Sequence, residues 1–218
     1  MFKSYDLKER VNSLTRFNTL QEKSALLVDD DEPISKIVSE LTTVKSYNEN
    51  EAKLFLYKLR EISVEDNLEM LVTCPHCNIM NQEYIDINKF YNLDVKKYYK
   101  DVELPFGFFD SPEDVINNTK LTDSLSLKEY NDIEKLIHDQ NNEIFNDVSS
   151  ICRSCKKEII ITFDIKSNFS KSTLKSIYTD YINISMYTNN GVKDIDSLYP
   201  FEREIYINLI EDKINTKE

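Results

Sequence analysis

The residues best suited to chemistry are four cysteines arranged as two units, Cys74-Pro75-His76-Cys77 and Cys152-Arg153-Ser154-Cys155. Two intervening residues let both thiolates of a turn face one ion, and two such turns supply the four soft ligands of a tetrahedral zinc. The spacing predicts one zinc per chain, held by Cys74, Cys77, Cys152 and Cys155. A closed four-thiolate shell leaves no coordination position for water or substrate, so the metal is expected to serve folding, at on the order of 10 kcal/mol. Four thiolates on a divalent ion leave a net negative charge, which His76, Arg153, Lys156 and Lys157 around the knuckles can offset. The competing reading is redox, because Cys-Pro-His-Cys also occurs in oxidising thioredoxin-fold enzymes, where it follows a strand and opens a helix. Here Ile79 and Met80, then Ile85 and Ile87, follow Cys77 with a turn-like Asn81-Gln82 between them, which is no helix pattern, and redox chemistry leaves the second Cys-x-x-Cys unexplained.

Both knuckles sit between β-type runs. Leu68, Met70 and Val72 precede the first, with Tyr84, Ile85 and Ile87 after it; Val148 and Ile151 precede the second, which leads into Ile159-Ile160-Ile161. Two strand-knuckle-strand devices imply one composite site. Seventy-four residues separate Cys77 from Cys152, too many for an unstructured loop. Within them an extended stretch is expected around Pro105 (Val102, Leu104, Phe106, Phe108, Phe109). A helix is expected to start at Ser111-Pro112-Glu113, and another after a Ser126 to Glu129 capping box, carrying Tyr130, Ile133, Leu136 and Ile137.

Helices flank this centre. A polar lead-in with Leu7, Val11, Leu14, Phe17 and Leu20 admits one helix over about 6–27, docking on a partner, before the acidic run Asp29 to Glu32. Ile34, Ile37, Val38, Leu41 and Val44 mark the next helix. Asn48, with Glu51 three residues on, caps another whose buried side is Ala52, Phe55, Leu56, Leu59 and Ile62. Near the end, Ser170 is expected to cap a helix bearing Leu174, Ile177, Tyr178, Tyr181, Ile182 and Ser185, stopping at Asn189-Asn190-Gly191. Asp194 or Asp196 opens the last helix, with Leu198, Phe201, Ile205 and Leu209 as its core stripe. The expected fold class is α+β: zinc-ribbon-like β knuckles with an inserted subdomain, flanked by N- and C-terminal helices. The segments are a variable polar arm (1–33), a helical pair (34–66), a zinc-ribbon-like region (67–166, insertion 88–147) and C-terminal helices (167–218).

Composition removes several function classes. The chain has 27 Lys and Arg against 39 Asp and Glu, a formal net charge of −12 that opposes a phosphate backbone, so nucleic acid is not the expected partner. Only two glycines occur, Gly107 and Gly191, and neither a phosphate-binding loop nor a dinucleotide fingerprint can be built from them. The opening residues carry no secretory pattern and no apolar run is long enough for a membrane span, so a cytoplasmic protein without membrane contact is expected. His76 and His138 are the only histidines, and the polar surroundings of His138 read as a solvated helix end rather than a catalytic triad. No enzymatic activity and no small-molecule substrate are expected. The aromatic complement, 13 Tyr and 11 Phe, exceeds what small subdomains bury and suits protein interfaces. Tyr199, Phe201 and Tyr206 are the residues expected to bind a partner.

Leu41-Thr42, Leu59-Arg60-Glu61-Ile62-Ser63, the two knuckles and Leu198-Tyr199-Pro200-Phe201-Glu202-Arg203-Glu204-Ile205-Tyr206 occur in an order that resembles the baseplate hub and hub-assembly proteins of T-even-like tailed phages. The resemblance covers most of residues 34–214. It implies a non-enzymatic protein of contractile-tail construction, with other hub or tail proteins as partners. Such a protein works in the host cytoplasm during assembly, and the tail baseplate of the virion is the other location it suggests. The alternative from the residues alone is a zinc-ribbon adaptor for nucleic acid or transcription machinery using Arg153, Lys156 and Lys157; a thiol-disulfide oxidoreductase is the third.

Overall fold

The computed structural model describes residues 7–46, 48–64, 67–104, 107–109, 111–118 and 126–216. In chain order the elements are α1 (Leu7–Asn12), α2 (Thr19–Leu26), α3 (Ile34–Leu41), α4 (Glu49–Ser63), β1 (Asn67–Thr73), β2 (Met80–Asp86), a 3-10 turn (Ile87–Phe90), β3 (Tyr98–Tyr99), β4 (Val102–Glu103), α5 (Pro112–Asn118), α6 (Leu127–Ile144), β5 (Val148–Ile151), β6 (Glu158–Ile161), α7 (Ile165–Asn168), α8 (Leu174–Tyr187), α9 (Val192–Ser197) and α10 (Pro200–Asn215). The class is α+β, with small antiparallel sheets β1-β2, β3-β4 and β5-β6 among the helices. The chain divides into two compact units. One joins the segment ending at Ser13 to Asn67–Phe163, and the other joins Leu14–Asp66 to Asp164–Glu218. Among the described residues no helix is long and apolar enough to cross a membrane.

The knuckle-bearing unit contains both longer hairpins. β1 pairs with β2 from Asn67↔Asp86 to Thr73↔Met80, and β5 with β6 from Val148↔Ile161 to Ile151↔Glu158. The stretch between the knuckles has structure of its own. α5 begins at Pro112, whose missing N–H costs nothing in a first turn. Ser126 and Glu129 form the expected capping box on α6, which buries Ile133, Ile137, Gln140 and Ile144. Tyr99, Leu104, Phe109, Val115, Ile133 and Ile137 make a small core, with Leu136 against it. Val102–Glu103 pairs with Tyr98–Tyr99, while Pro105 and Phe106 lie outside the described residues.

The other unit is helical, and several sequence expectations change in it and in the lead-in before it. The single helix over about 6–27 is two, because Asn18 and Gln21 form a capping box that starts α2 afresh, and Phe17 donates its backbone N–H to Ser63 Oγ at 3.1 Å. Leu7, Val11, Leu14, Phe17 and Ala25 are buried in the chain itself. α3 ends at Leu41, leaving Val44 beyond it and half-buried. α4 is capped by Asn48, which accepts from Glu51 N at 2.8 Å. It is buried around most of its circumference: Leu54 and Tyr57 join Ala52, Phe55, Leu56 and Leu59.

The cap of α8 is Thr173 with Ser176, not Ser170. The Ser170 hydroxyl is used elsewhere, donating to Glu22 and accepting from Ser172 N at 2.8 Å. Ile177, Tyr181 and Ile184 face the core with Ile195 and Ile210, while Tyr178 and Ile182 are exposed. The expected last helix is also two. A residue before proline is pushed out of the helical region, and Tyr199 (φ −71°, ψ 153°) accordingly separates α9 from α10, where Pro200 takes the first position.

Candidate metal centre

The two knuckles share one backbone design. In the first, Cys74 N donates to Ile79 O (2.9 Å) and Asn78 N to Cys74 O (2.9 Å); in the second, Cys152 N donates to Lys157 O (2.9 Å) and Lys156 N to Cys152 O (3.0 Å). The spacings are the same, and each turn closes through a left-handed residue, Asn78 (φ 57°) or Lys156 (φ 62°). A β-carbon at that conformation costs roughly 1–2 kcal/mol. Glycine would avoid the cost, yet with only two glycines in the chain the positions fall to an asparagine and a lysine.

The hairpins bring Cys74, Cys77, Cys152 and Cys155 together, with all four sulfurs within 4.8 Å of one another. Across the knuckles, Cys74 Sγ lies 3.6 Å from Cys155 Sγ and Cys77 Sγ 3.6 Å from Cys152 Sγ. Metal–sulfur bonds of about 2.3 Å in a tetrahedron place sulfurs about 3.8 Å apart, so this donor set fits a tetrathiolate metal site. Cys74 and Cys152 are buried, Cys77 and Cys155 half-buried.

Local dipoles favour anionic sulfur unevenly. The Cys155 backbone N–H is the largest influence on the Cys152 thiol, and with the Ser154 N–H and the neighbouring cysteines it overcomes desolvation and brings the group down to about 6. At Cys77 the Ile79 N–H lowers the pKa, but desolvation and the thiols of Cys152, Cys155 and Cys74 together push it up to about 11. Four sulfurs this close cannot all be anions without a cation among them, which is the electrostatic demand a divalent metal meets. His76 N points at Cys74 Sγ (3.4 Å), and Arg153 donates its backbone N–H to Asn81 Oδ1 (3.0 Å) and a guanidinium N–H to Gln82 O (2.9 Å). Lys156 and Lys157 are exposed beside them. Cys77 is followed by the Asn78 turn and strand β2, so this Cys-x-x-Cys opens no helix.

The sequence-predicted partner residues lie in the helical unit. Tyr199 and Phe201 are half-buried and stacked, with ring centroids 5.9 Å apart and planes 8° from parallel. The Arg16 guanidinium lies 4.8 Å from the Phe201 centroid and 5.9 Å from that of Tyr199. Tyr206 is half-buried against the Ile177 and Ile210 cluster. The stripe expected to be core is so only in part: Leu198 packs against that cluster and Phe201 is half-buried, but Ile205 and Leu209 are 52% and 61% exposed, and α10 buries Pro200, Arg203 and Ile210. Ile205 and Leu209 form, with Leu198, Glu202 and Tyr206, an open groove of about 380 Å³.

Two groups escaped the sequence reading. Arg203, 2% exposed, donates Nη1 to Glu22 (2.8 Å) and Thr19 (3.0 Å), Nε to Asp180 (3.0 Å) and Nη2 to Ser172 (2.7 Å). Burial pushes the Asp180 carboxyl up despite Arg203, and it holds Arg60 down to about 10 while Glu22 pulls the other way. Periodicity had no means of assigning an arginine to a core face. The second is Asn81, 2% exposed, whose Nδ2 lies 2.9 Å from Ile79 O and 3.6 Å from Cys152 Sγ. Asn81-Gln82 reads as a turn by composition, but β2 runs through both residues and turns Asn81 inward. No protein family, curated protein or solved structure matches the chain.

Proposed function

We propose that the chain is a non-enzymatic assembly protein with a structural zinc of zinc-ribbon type, acting through protein contacts in the hub of a contractile-tail baseplate. The observation that carries the structural part is the convergence of four cysteine sulfurs from two hairpins far apart in sequence. With all four sulfurs as ligands the shell is closed, so a metal there fastens β1-β2 to β5-β6 and has no position for substrate. The tail-hub assignment is supported by the resemblance of Leu59 to Ser63 and Leu198 to Tyr206 to hub proteins. The exposed Ile205 and Leu209 beside Tyr206 favour a protein partner on α10 over a chain that works alone.

The test has two stages. Protein purified without added metal should hold one zinc per chain by elemental analysis, whereas two Cys-x-x-Cys disulfides and no metal would refute the centre. Peptides of the chain should then co-purify with baseplate hub proteins from infected cells, and their abundance in purified virions against lysate separates a resident subunit from an assembly factor. Salt-sensitive DNA binding without hub association would transfer the reading to a nucleic-acid adaptor.

A further inference from the structure

We infer that Asn81 is a positioning residue that registers the second knuckle on the first, an inference that rests on reading the four cysteines as a metal centre. Asn81 lies in β2 opposite Val72. Its amide reaches its own knuckle through Nδ2 to Ile79 O (2.9 Å). It reaches the other knuckle through Nδ2 to Cys152 Sγ (3.6 Å) and through Oδ1, which accepts from Arg153 N (3.0 Å). Turning the amide over would set its NH2 against the Arg153 N–H and its oxygen against a carbonyl and a thiolate, so the network admits one orientation.

The duplicated hairpins supply an internal control. The residue four places after the second cysteine is Asn81 in one knuckle and Ile159 in the other; Ile159 pairs with Ser150 as Asn81 pairs with Val72, and both are 2% exposed. An aliphatic side chain therefore suits this slot in the hairpin. Burying an amide there costs free energy that only its hydrogen bonds offset, and two of the three bonds cross to the second knuckle. Asn81 thereby makes an otherwise repeated site asymmetric: it holds Cys152 and the Arg153 backbone at a set distance from the first knuckle before metal binds. Groups bonded to ligands in this way typically change metal affinity 10–100-fold when lost.

Asn81→Ile installs the residue that the other hairpin carries. Its zinc affinity, measured by chelator competition, should fall about 10–100-fold, while stoichiometry at saturating zinc and the far-ultraviolet circular dichroism stay as in wild type. The thiolate-to-metal charge-transfer band of the cobalt-loaded protein should shift as well, a change that mere loss of packing does not produce. Affinity within twofold of wild type and an unmoved band overturn the assignment of Asn81 while leaving the metal centre intact. Wild-type protein that binds no zinc overturns both. If the variant does not fold, wild-type protein loaded with cadmium-113 decides: scalar coupling between the metal and the Asn81 side-chain amide protons supports the contact with Cys152, and freely exchanging, uncoupled amide protons refute it.

Discussion

Each unit is fastened around one buried polar cluster, and the two clusters work by different physics. Around the knuckles the groups are like: four sulfurs within 4.8 Å that repel one another as anions and need a cation from outside. Around α10 the groups are complementary, with Arg203 between Glu22 and Asp180 and the hydroxyls of Thr19 and Ser172 completing its shell. On the reading proposed above, the first cluster stabilises the unit only once metal is bound, when binding free energy becomes folding free energy. The second is complete from the chain's own residues, and its worth is limited by the cost of taking charges out of water. Composition is therefore a poor guide to which unit withstands a change of conditions: one depends on an ion's supply, the other on every partner staying in place.

The largest effect expected follows from this contrast. Cys152→Ser, or a strong chelator on wild type, should remove most of a contribution on the order of 10 kcal/mol. Amides of β1, β2, β5 and β6 should lose hydrogen-exchange protection while those around Arg203 keep theirs. An unchanged melting curve after the metal is gone would end the comparison. Next is Arg203→Ala, which takes from the buried Glu22 carboxylate its hydrogen bond to Arg203 and should cost about 3–5 kcal/mol in urea denaturation, with zinc content unaltered. A loss below about 1 kcal/mol would place Arg203 with exposed ion pairs.

Smaller still is Thr173→Ala at the start of α8, expected to cost about 1 kcal/mol by removal of the cap. Ser170→Ala tests the same point from the other side. It should act through Glu22, and so be non-additive with Arg203→Ala but additive with Thr173→Ala. The smallest effect concerns pH. Glu129 is held down to about 2 from its ordinary 4.5, by its bond to Lys100 first and then by the Ser126 N–H and hydroxyl. Because its folded value is depressed, its contribution is present above pH 4.5 and is lost as pH falls from there through about 2. NMR of the first turn of α6 should show the capping box intact at pH 4 and titrating well below that; a midpoint near 4.5 would mean that Lys100 and Ser126 give the carboxylate no net support.

Much of this organisation could be read from the residues. The knuckles were legible because paired Cys-x-x-Cys units have the ligand type and spacing a metal would require, and their strands because β-type apolar runs flank each turn. Caps at Asn48 and Ser126 and the proline start at Pro112 were legible for the same reason: their chemistry is completed within four residues. What failed at Ser170 and in the facing of α10 involved choices between distant partners, whereas the breaks before α2 and α10 came from local signals, the Asn18–Gln21 box and the Tyr199–Pro200 step. Ser170 and Thr173 are both sound caps by composition, and Glu22, far away in the chain, occupies the first. On α10 the apolar residues Phe201, Ile205 and Leu209 make a plausible core stripe, but Arg203 has a buried partner on α2 and a half-buried one on α8, and the helix turns to satisfy the charge. An unpaired buried guanidinium costs more than two exposed aliphatic side chains. The sequence by itself determined where the paired cysteines with their turns and the locally capped helix starts at Asn48, Pro112 and Ser126 fall, because those depend on neighbours. Only the tertiary structure decided which polar groups are buried, at Arg203 and at Asn81, because that depends on whether remote donors and acceptors arrive to satisfy them.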